Sequence, residues 1–348
     1  CKLSRKSPWY AVAMIYIAIF VLASGLSTTA TMLVFIPLLG AIYDMLGYKK
    51  EDGDKFPAIM MTSVVVVSQI AQSTSPISHA MTLIGLSTYT NYMPEDAIGF
   101  VQYIAICLPV GIVSLILWYL LTKFVFKPDV SRFGTLDLTQ LNKESKPFSK
   151  AEKIASAIYL LTIVSWILPG IAEYIFPADL AALCGKLDQN FVPMVGIVLM
   201  HLIKVNGEPV LDYKEASKAA PWNTAIFMGT ILMVSSVLSN SELGITSWMA
   251  SVAAPVFQGM SPVIFVVVMV VVCAIATNFI SNAIAIALFF AISMPMVTTV
   301  FAGQLPPQLV PILVTAAANY SYATPTATAP VAFIQESGWV DGKRLFAW

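Results

Sequence analysis

"FPAIMMTSVVVVSQIAQSTSPISHAMTLIGLSTYTNYMP", residues 56–94, contains no Asp, Glu, Lys or Arg, yet its centre carries Gln72, Ser73, Thr74, Ser75, Pro76, Ser78 and His79. The stretch is about twice the length that one helix needs to cross a bilayer, so its flanks read as membrane helix. The polar centre therefore falls where lipid offers no hydrogen bonds, and it must face protein or a wet cavity.

Further charge-free runs cover residues 7–43, 97–122 and 243–335. Charged residues make up 11% of the chain and mean hydropathy is +0.80, against about 25% charged residues in soluble domains. Too little polar surface exists to face water, so the chain is expected to be an integral membrane protein with eight to ten spans. Apolar segments such as "VIFVVVMVVVCAIA", residues 263–276, are continuous rather than alternating as in a membrane β-barrel. The expected fold class is all-α polytopic. A formal net charge of zero and the lack of a long basic run exclude a nucleic-acid binder.

Cys1, Cys107, Cys184 and Cys273 show no CxxC spacing and read as buried thiols rather than disulfides or metal ligands. The opening "CKLSRKSPWYAVAMIYIAIF" places basic residues before an apolar run without a small-residue cleavage site leading to a polar mature chain. It reads as a first span, and the chain, which has no initiator Met, is expected to be part of a longer one. No GxSxG, HExxH or Walker loop occurs, and two histidines cannot build a typical metal site. Neither an enzyme, a cofactor nor a nucleotide-driven pump is expected.

Residues 127–153 form the most charged loop, with six Lys/Arg against four Asp/Glu, and are expected to be cytoplasmic by the positive-inside rule. They separate a first half, residues 1–126, from a second, residues 154–348. Residues 204–218 are charged and are expected along the membrane interface, with Pro221 suiting a helix first turn. His201 belongs with that interface. Trp9, Tyr10, Trp118, Tyr119, Trp166, Trp222, Trp248 and Trp348 lie mostly near span ends, as interfacial aromatic belts do.

Each half holds two polar interruptions. The first has "SGLSTTAT", residues 24–31, and "AQSTSPISH", residues 71–79; the second has "TNFISNA", residues 277–283, and "YSYATPTATAP", residues 320–330. Ser27 precedes Pro76 by 49 positions (76 − 27) and Ser281 precedes Pro325 by 44 (325 − 281). A Ser-led cluster is thus followed at similar distance by a hydroxyl-Pro cluster twice, the mark of an internal repeat. Each proline lacks an N–H and frees a carbonyl about a turn earlier, while neighbouring Ser and Thr replace the lost bonds. For one such cluster, back-bonding Ser and Thr in an ordinary membrane helix is a sufficient account. Four in matching order point to the interrupted helices of a transporter site.

The clusters contain no charged residue, so a ligand meets hydroxyls, the amides of Gln72, Asn278 and Asn282, backbone groups and helix ends. That chemistry suits a small anion: Ser27-Thr28-Thr29 and Ser281-Asn282 begin new apolar helices, whose N-termini carry about half a positive charge. Carbonyls freed near Pro76 and Pro325 suit sodium. His79, ionisable and at membrane depth, reads either as a proton or charge-sensing site or as a neutral ring bonded to a nearby carbonyl. An anion channel would need a continuous polar stripe, and a membrane enzyme an acid/base pair at the breaks; the residues supply neither.

These breaks, together with "PWNTAIFMGTILMVSSVLSNSELGITSWM", residues 221–249, resemble the divalent anion/sodium symporter family of dicarboxylate, citrate and sulfate carriers, over most of the chain. The resemblance implies two inverted repeats with re-entrant hairpins and unwound helices, the family's first helices and last helix being absent from residues 1–126 and 154–348. It implies a Ser-Asn-Thr motif at each hairpin tip, where this chain has Ser27-Thr28-Thr29 and Ser281-Asn282-Ala283, and a Thr-Pro motif in each unwound helix, where it has Ser75-Pro76 and Thr324-Pro325. Thr28 replaces Asn and Ala283 replaces Thr, removing one amide and one hydroxyl. The implied substrate is a small dianion, a C4-dicarboxylate or citrate, moved by sodium symport or anion exchange through a homodimer in the cell (inner) membrane. Expected sodium ligands are Ser24, Ser27, Thr28, Ser73, Asn278, Asn282 and Ala323.

Overall fold

A computed structural model describes residues 7–135, 147–186, 191–220, 222–324 and 328–340. Pro325 and Thr326, with Cys1, Trp348 and residues 136–146 of the charged loop, lie outside the described residues.

The chain opens with two helices divided at a serine. Pro8 occupies the first turn of α1 (Pro8–Gly25), where its missing N–H costs nothing. Ser27 caps α2 (Thr28–Met45), its Oγ accepting from the Ala30 N–H at 3.3 Å. α3 (Lys55–Thr74) stops at Ser75, which is extended with φ −138° and ψ 131°; Pro76 disfavours helical backbone at the residue before it. The chain stays non-helical to His79, and α4 (Ala80–Tyr92) resumes beyond. α5 (Phe100–Leu120) runs on into a π-helical turn, Leu121–Phe126.

α6 (Lys150–Ile175) begins with a capping box: Glu152 N–H donates to Ser149 Oγ at 3.2 Å and Ser149 N–H to Glu152 Oε2 at 2.7 Å. α7 (Ala178–Gly185) and α8 (Phe191–Leu202) follow. β1 (Lys204–Val205) pairs antiparallel with β2 (Glu208–Pro209) across Asn206-Gly207, whose φ values of 55° and 90° suit a two-residue hairpin turn. Asp212 caps α9 (Tyr213–Ala219). α10 (Trp222–Ser239), α11 (Ile245–Phe257) and α12 (Pro262–Ala276) come next, then α13 (Asn282–Thr298), α14 (Leu309–Ala318) and α15 (Ala329–Glu336).

Two compact units divide the chain. One comprises Cys1–Ile98, Tyr103–Leu138 and Met228–Trp348, the other Gly99–Gln102 and Thr139–Phe227. The first cuts across the division of the sequence at residues 127–153 and gathers the polar interruptions of both halves. In it α3 is buried around its whole circumference, its polar residues Ser63, Ser68, Gln69 and Gln72 included. α1 and α2 pack on α3, while α14 packs on α4, α12 and α13.

Two contacts in this unit leave no room for a side chain. A Cβ at Gly85 of α4 would lie 2.2 Å from Thr315 Oγ1 of α14, and one at Gly111 of α5 would lie 2.1 Å from Thr74 Cγ2 at the end of α3. A buried polar hub joins α1, α3 and α5. Ser63 Oγ receives Trp118 Nε1–H at 3.0 Å, lies 2.6 Å from Tyr16 OH, and donates to the Ile59 carbonyl.

Among the described residues five helices are long and apolar enough to cross a membrane, or six with α11 and α12, which meet at a 109° bend, taken as one span. Helices such as α8, α13 and α14 are apolar but shorter. The all-α polytopic fold stands. Cys107, Cys184 and Cys273 are free and buried.

Candidate functional site

The site is built in the first unit, where the break between α3 and α4 meets the break between α14 and α15. Gln69, a turn and a half before the first break, donates from Nε2 to the Ser321 carbonyl at 3.1 Å and lies 3.2 Å from Ser321 Oγ. Asn319, at the end of α14, donates from Nδ2 to Thr82 Oγ1 of α4 at 3.3 Å. Tyr103 OH donates to the Ser73 carbonyl at 3.0 Å, and Tyr320 OH lies 3.0 Å from Ser114 Oγ. The two breaks are thus pinned to each other and to α5.

The tip between α12 and α13 is fastened to the second break. Asn278 Nδ2 donates to the Ala274 carbonyl at 2.7 Å and the Tyr320 carbonyl at 3.1 Å, and its Oδ1 accepts from Tyr322 N–H at 3.0 Å and Ala323 N–H at 2.9 Å. Thr324 Oγ1 donates to the Asn278 carbonyl. Thr277 Oγ1 donates to the Ala318 carbonyl at 2.7 Å and shares its proton with Asn282 Oδ1 at 3.0 Å. Ser281 caps α13 through Ile284 N–H, and Ala283 is buried.

The tip between α1 and α2 is arranged otherwise. Ser27 caps its own helix, Ser24 Oγ donates to the Phe20 carbonyl at 2.8 Å, and Thr28 is buried with its Oγ1 unpaired. Thr29 is exposed and lines a groove of about 270 Å³ with Met32, Phe333 and Glu336, between α2 and α15. At the first break Ser73 and Thr74 bond back to the Ile70 and Ala71 carbonyls, and Ser75 Oγ accepts from Ile77 N–H at 3.2 Å.

Asn278, expected as a sodium ligand, has its amide wholly engaged by protein. Gln69 and Asn319 join the breaks without belonging to any of the four polar clusters' expected site residues. An amide inside a charge-free helix was the available signal, and Gln69 stands one helical turn from Gln72. Buried polar atoms without partners include Thr28 Oγ1, Gln69 Oε1, both amide atoms of Gln72, Ser78 Oγ, His79 Nδ1 and Asn319 Oδ1. These seven lie on or beside an interruption, while Ser68 Oγ inside α3 and Ser293 Oγ inside α13 are unpaired as well. Among the described residues no cluster of His, Cys, Asp and Glu could hold a metal ion.

A helical membrane protein whose interrupted helices meet around unpaired polar groups has the architecture of a transporter. The model of the sodium:sulfate symporter transmembrane region matches residues 7–347, and the chain belongs to that family, the divalent anion/sodium symporters that the motifs resemble. It is a family of transporters and not of enzymes. The low-affinity phosphate transporter PHO90 of Saccharomyces cerevisiae (strain ATCC 204508 / S288c) is 25% identical over 239 residues, 68% of this chain and 24% of that protein. The inorganic phosphate transporter PHO87 of the same organism is 23% identical over 242 residues, 69% of this chain and 23% of that protein. The chain spans about a quarter of the length of these curated relatives.

Proposed function

We propose that the chain is the transport region of a secondary carrier that moves a small divalent anion, a C4-dicarboxylate or citrate, across the cell (inner) membrane by alternating access between two inverted repeats. The observation that carries this reading is the gathering of unpaired buried polar atoms at the interruptions. Each such atom costs about 1–3 kcal/mol while unpaired, and a bound ligand with its water offsets that cost. Uncharged donors and the capped N-termini of α2 and α13 suit an anion that must later leave, because binding without a fixed cation stays weak enough for release. In this reading the anion sits among Ser27, Thr28, Ser75, Pro76, Ser281, Asn282, Ala283 and Thr324.

The coupling is sodium symport or anion exchange, and the family's description supports sodium. Outward apolar residues of α5 such as Val113, Ile116 and Leu117 suit lipid or the scaffold of a homodimer. A second reading, a carrier of an inorganic oxyanion, is favoured by the relatives, both described as phosphate transporters. Thr28 and Ala283 leave fewer donors than a paired Ser-Asn-Thr site, which a smaller anion tolerates.

The test is uptake of labelled succinate, sulfate and phosphate by the full-length protein in proteoliposomes, with sodium or choline outside and unlabelled anion or buffer inside. Sodium-dependent uptake into empty vesicles identifies symport, and uptake confined to preloaded vesicles identifies exchange. If phosphate or sulfate is carried and succinate neither enters nor competes, the dicarboxylate reading fails. Conductive flux that needs neither sodium nor internal anion would make the protein a channel.

A further inference from the structure

α4 leads away from the first break and α14 leads into the second, and the two pack antiparallel, as three contacts in opposite order show. Beside the breaks, Asn319 Nδ2 donates to Thr82 Oγ1 at 3.3 Å. Further along, Gly85 lies flush against Thr315. Beyond the far ends, Gln308 Nε2 donates to both carboxylate oxygens of Asp96 at 2.6 Å, and Tyr89 OH donates to Asp96 Oδ2 at 2.7 Å. The Asp96 N–H, bonded to the Met93 carbonyl at 3.1 Å, holds that residue on its turn.

Neither residues 93–99 nor residues 299–308 contain a Lys or Arg, so the half-buried carboxylate is met by those two neutral donors. An ionised acceptor makes such bonds short and strong. Gln308 is also the N-cap residue of α14, and its side chain is spent on Asp96 rather than on the helix. The first turn of α14 holds no acidic residue of its own, and negative charge brought to a helix N-terminus is favourable. We propose that Asp96 is a positioning residue for the anion site: by fastening Gln308 it fixes the register of α14 against α4, and with it the spacing of the two breaks. Gln308 and Asn319 are 11 residues apart (319 − 308), roughly 16 Å along a helix, so the carboxylate acts on the site without touching the anion. A helix released at that end slides or tilts, and its end at the break moves with it. The inference rests on the reading that the breaks hold the transported anion, but their mutual fastening is measurable without transport.

The experiment is hydrogen exchange on the full-length protein in detergent for the wild type, Asp96→Ala, Gln308→Leu and Gln308→Lys. It reads the amides of Thr82, Asn319 and Tyr320, which bond the His79, Ala316 and Ala317 carbonyls beside the breaks. In Asp96→Ala and Gln308→Leu these amides are expected to exchange about tenfold faster, as loss of a charge-assisted bond implies. Gln308→Lys meets the carboxylate with an ammonium and keeps the wild-type protection. In proteoliposomes offered labelled succinate, sulfate or phosphate, Gln308→Leu raises the half-saturating anion concentration severalfold at a nearly unchanged maximal rate, and Gln308→Lys restores it. Should Asp96→Ala fail to fold, the two Gln308 variants decide alone. Faster exchange confined to residues 93–96 and 305–309, or a maximal rate that falls with folded protein while half-saturation stays put, overturns the inference. If the wild type carries none of the three anions while the break amides respond as expected, the carrier reading fails and the role of Asp96 in spacing the breaks stands.

Discussion

Asn278→Ala removes the clamp between the α12–α13 tip and the second break. Three of the four bonds made by the amide hold residues 320–323: one to the Tyr320 carbonyl at 3.1 Å and two from the N–H groups of Tyr322 and Ala323 at 3.0 and 2.9 Å. A hydrogen bond contributes about 0.5–1.5 kcal/mol net, with membrane-interior averages near ~0.6 kcal/mol. Three together are therefore worth about 2–4 kcal/mol, or a melting temperature roughly 4–16 °C lower at the ~2–4 °C per kcal/mol of chains of 150–250 residues. Full-length protein in detergent, melted with tryptophan fluorescence as readout, measures the shift. Hydrogen exchange locates it, because the amides of Tyr322 and Ala323 should lose protection first. A variant that melts within about 1 °C of the wild type, with those two amides as protected as before, refutes the reasoning.

Asn282→Ala should cut anion uptake at least about tenfold while folded protein stays abundant, since its Oδ1 accepts only a shared proton; loss of folded protein would make Asn282 structural. His79→Gln should change the pH dependence of uptake, and an unaltered profile returns His79 to packing. Gly85→Ala should cost about 1–3 kcal/mol by driving α4 from α14 at Thr315, read as a lower melting temperature; wild-type stability would mean that the two helices can part there freely.

Local chemistry was legible in the sequence wherever one residue decides the backbone. Ser27 and Ser281 stand before apolar runs and cap the helices expected there, and Pro76 ends α3 at the residue before it. Composition and continuous apolar runs sufficed for the helical membrane class. What escaped reading depends on distant partners. Gln69 meets Ser321 across 252 positions, and no local pattern announces that pairing. Thr29, one residue from the buried Thr28, looks equivalent in sequence, yet the helical turn sends it to the groove beside α15. The Asn206-Gly207 dipeptide is itself a hairpin signal, and the turn between β1 and β2 sits on it.

The flush contact between Gly111 and Thr74 makes those two positions a single heritable unit. Alanine at 111 alone would strike Thr74 Cγ2 and push α5 off the last turn of α3. Serine at 74 deletes that methyl and keeps the hydroxyl that bonds the Ala71 carbonyl. In a selection for function, Thr74→Ser should therefore arise as a second-site suppressor of Gly111→Ala, and a double-mutant cycle should show the pair far less damaged than the sum of its parts.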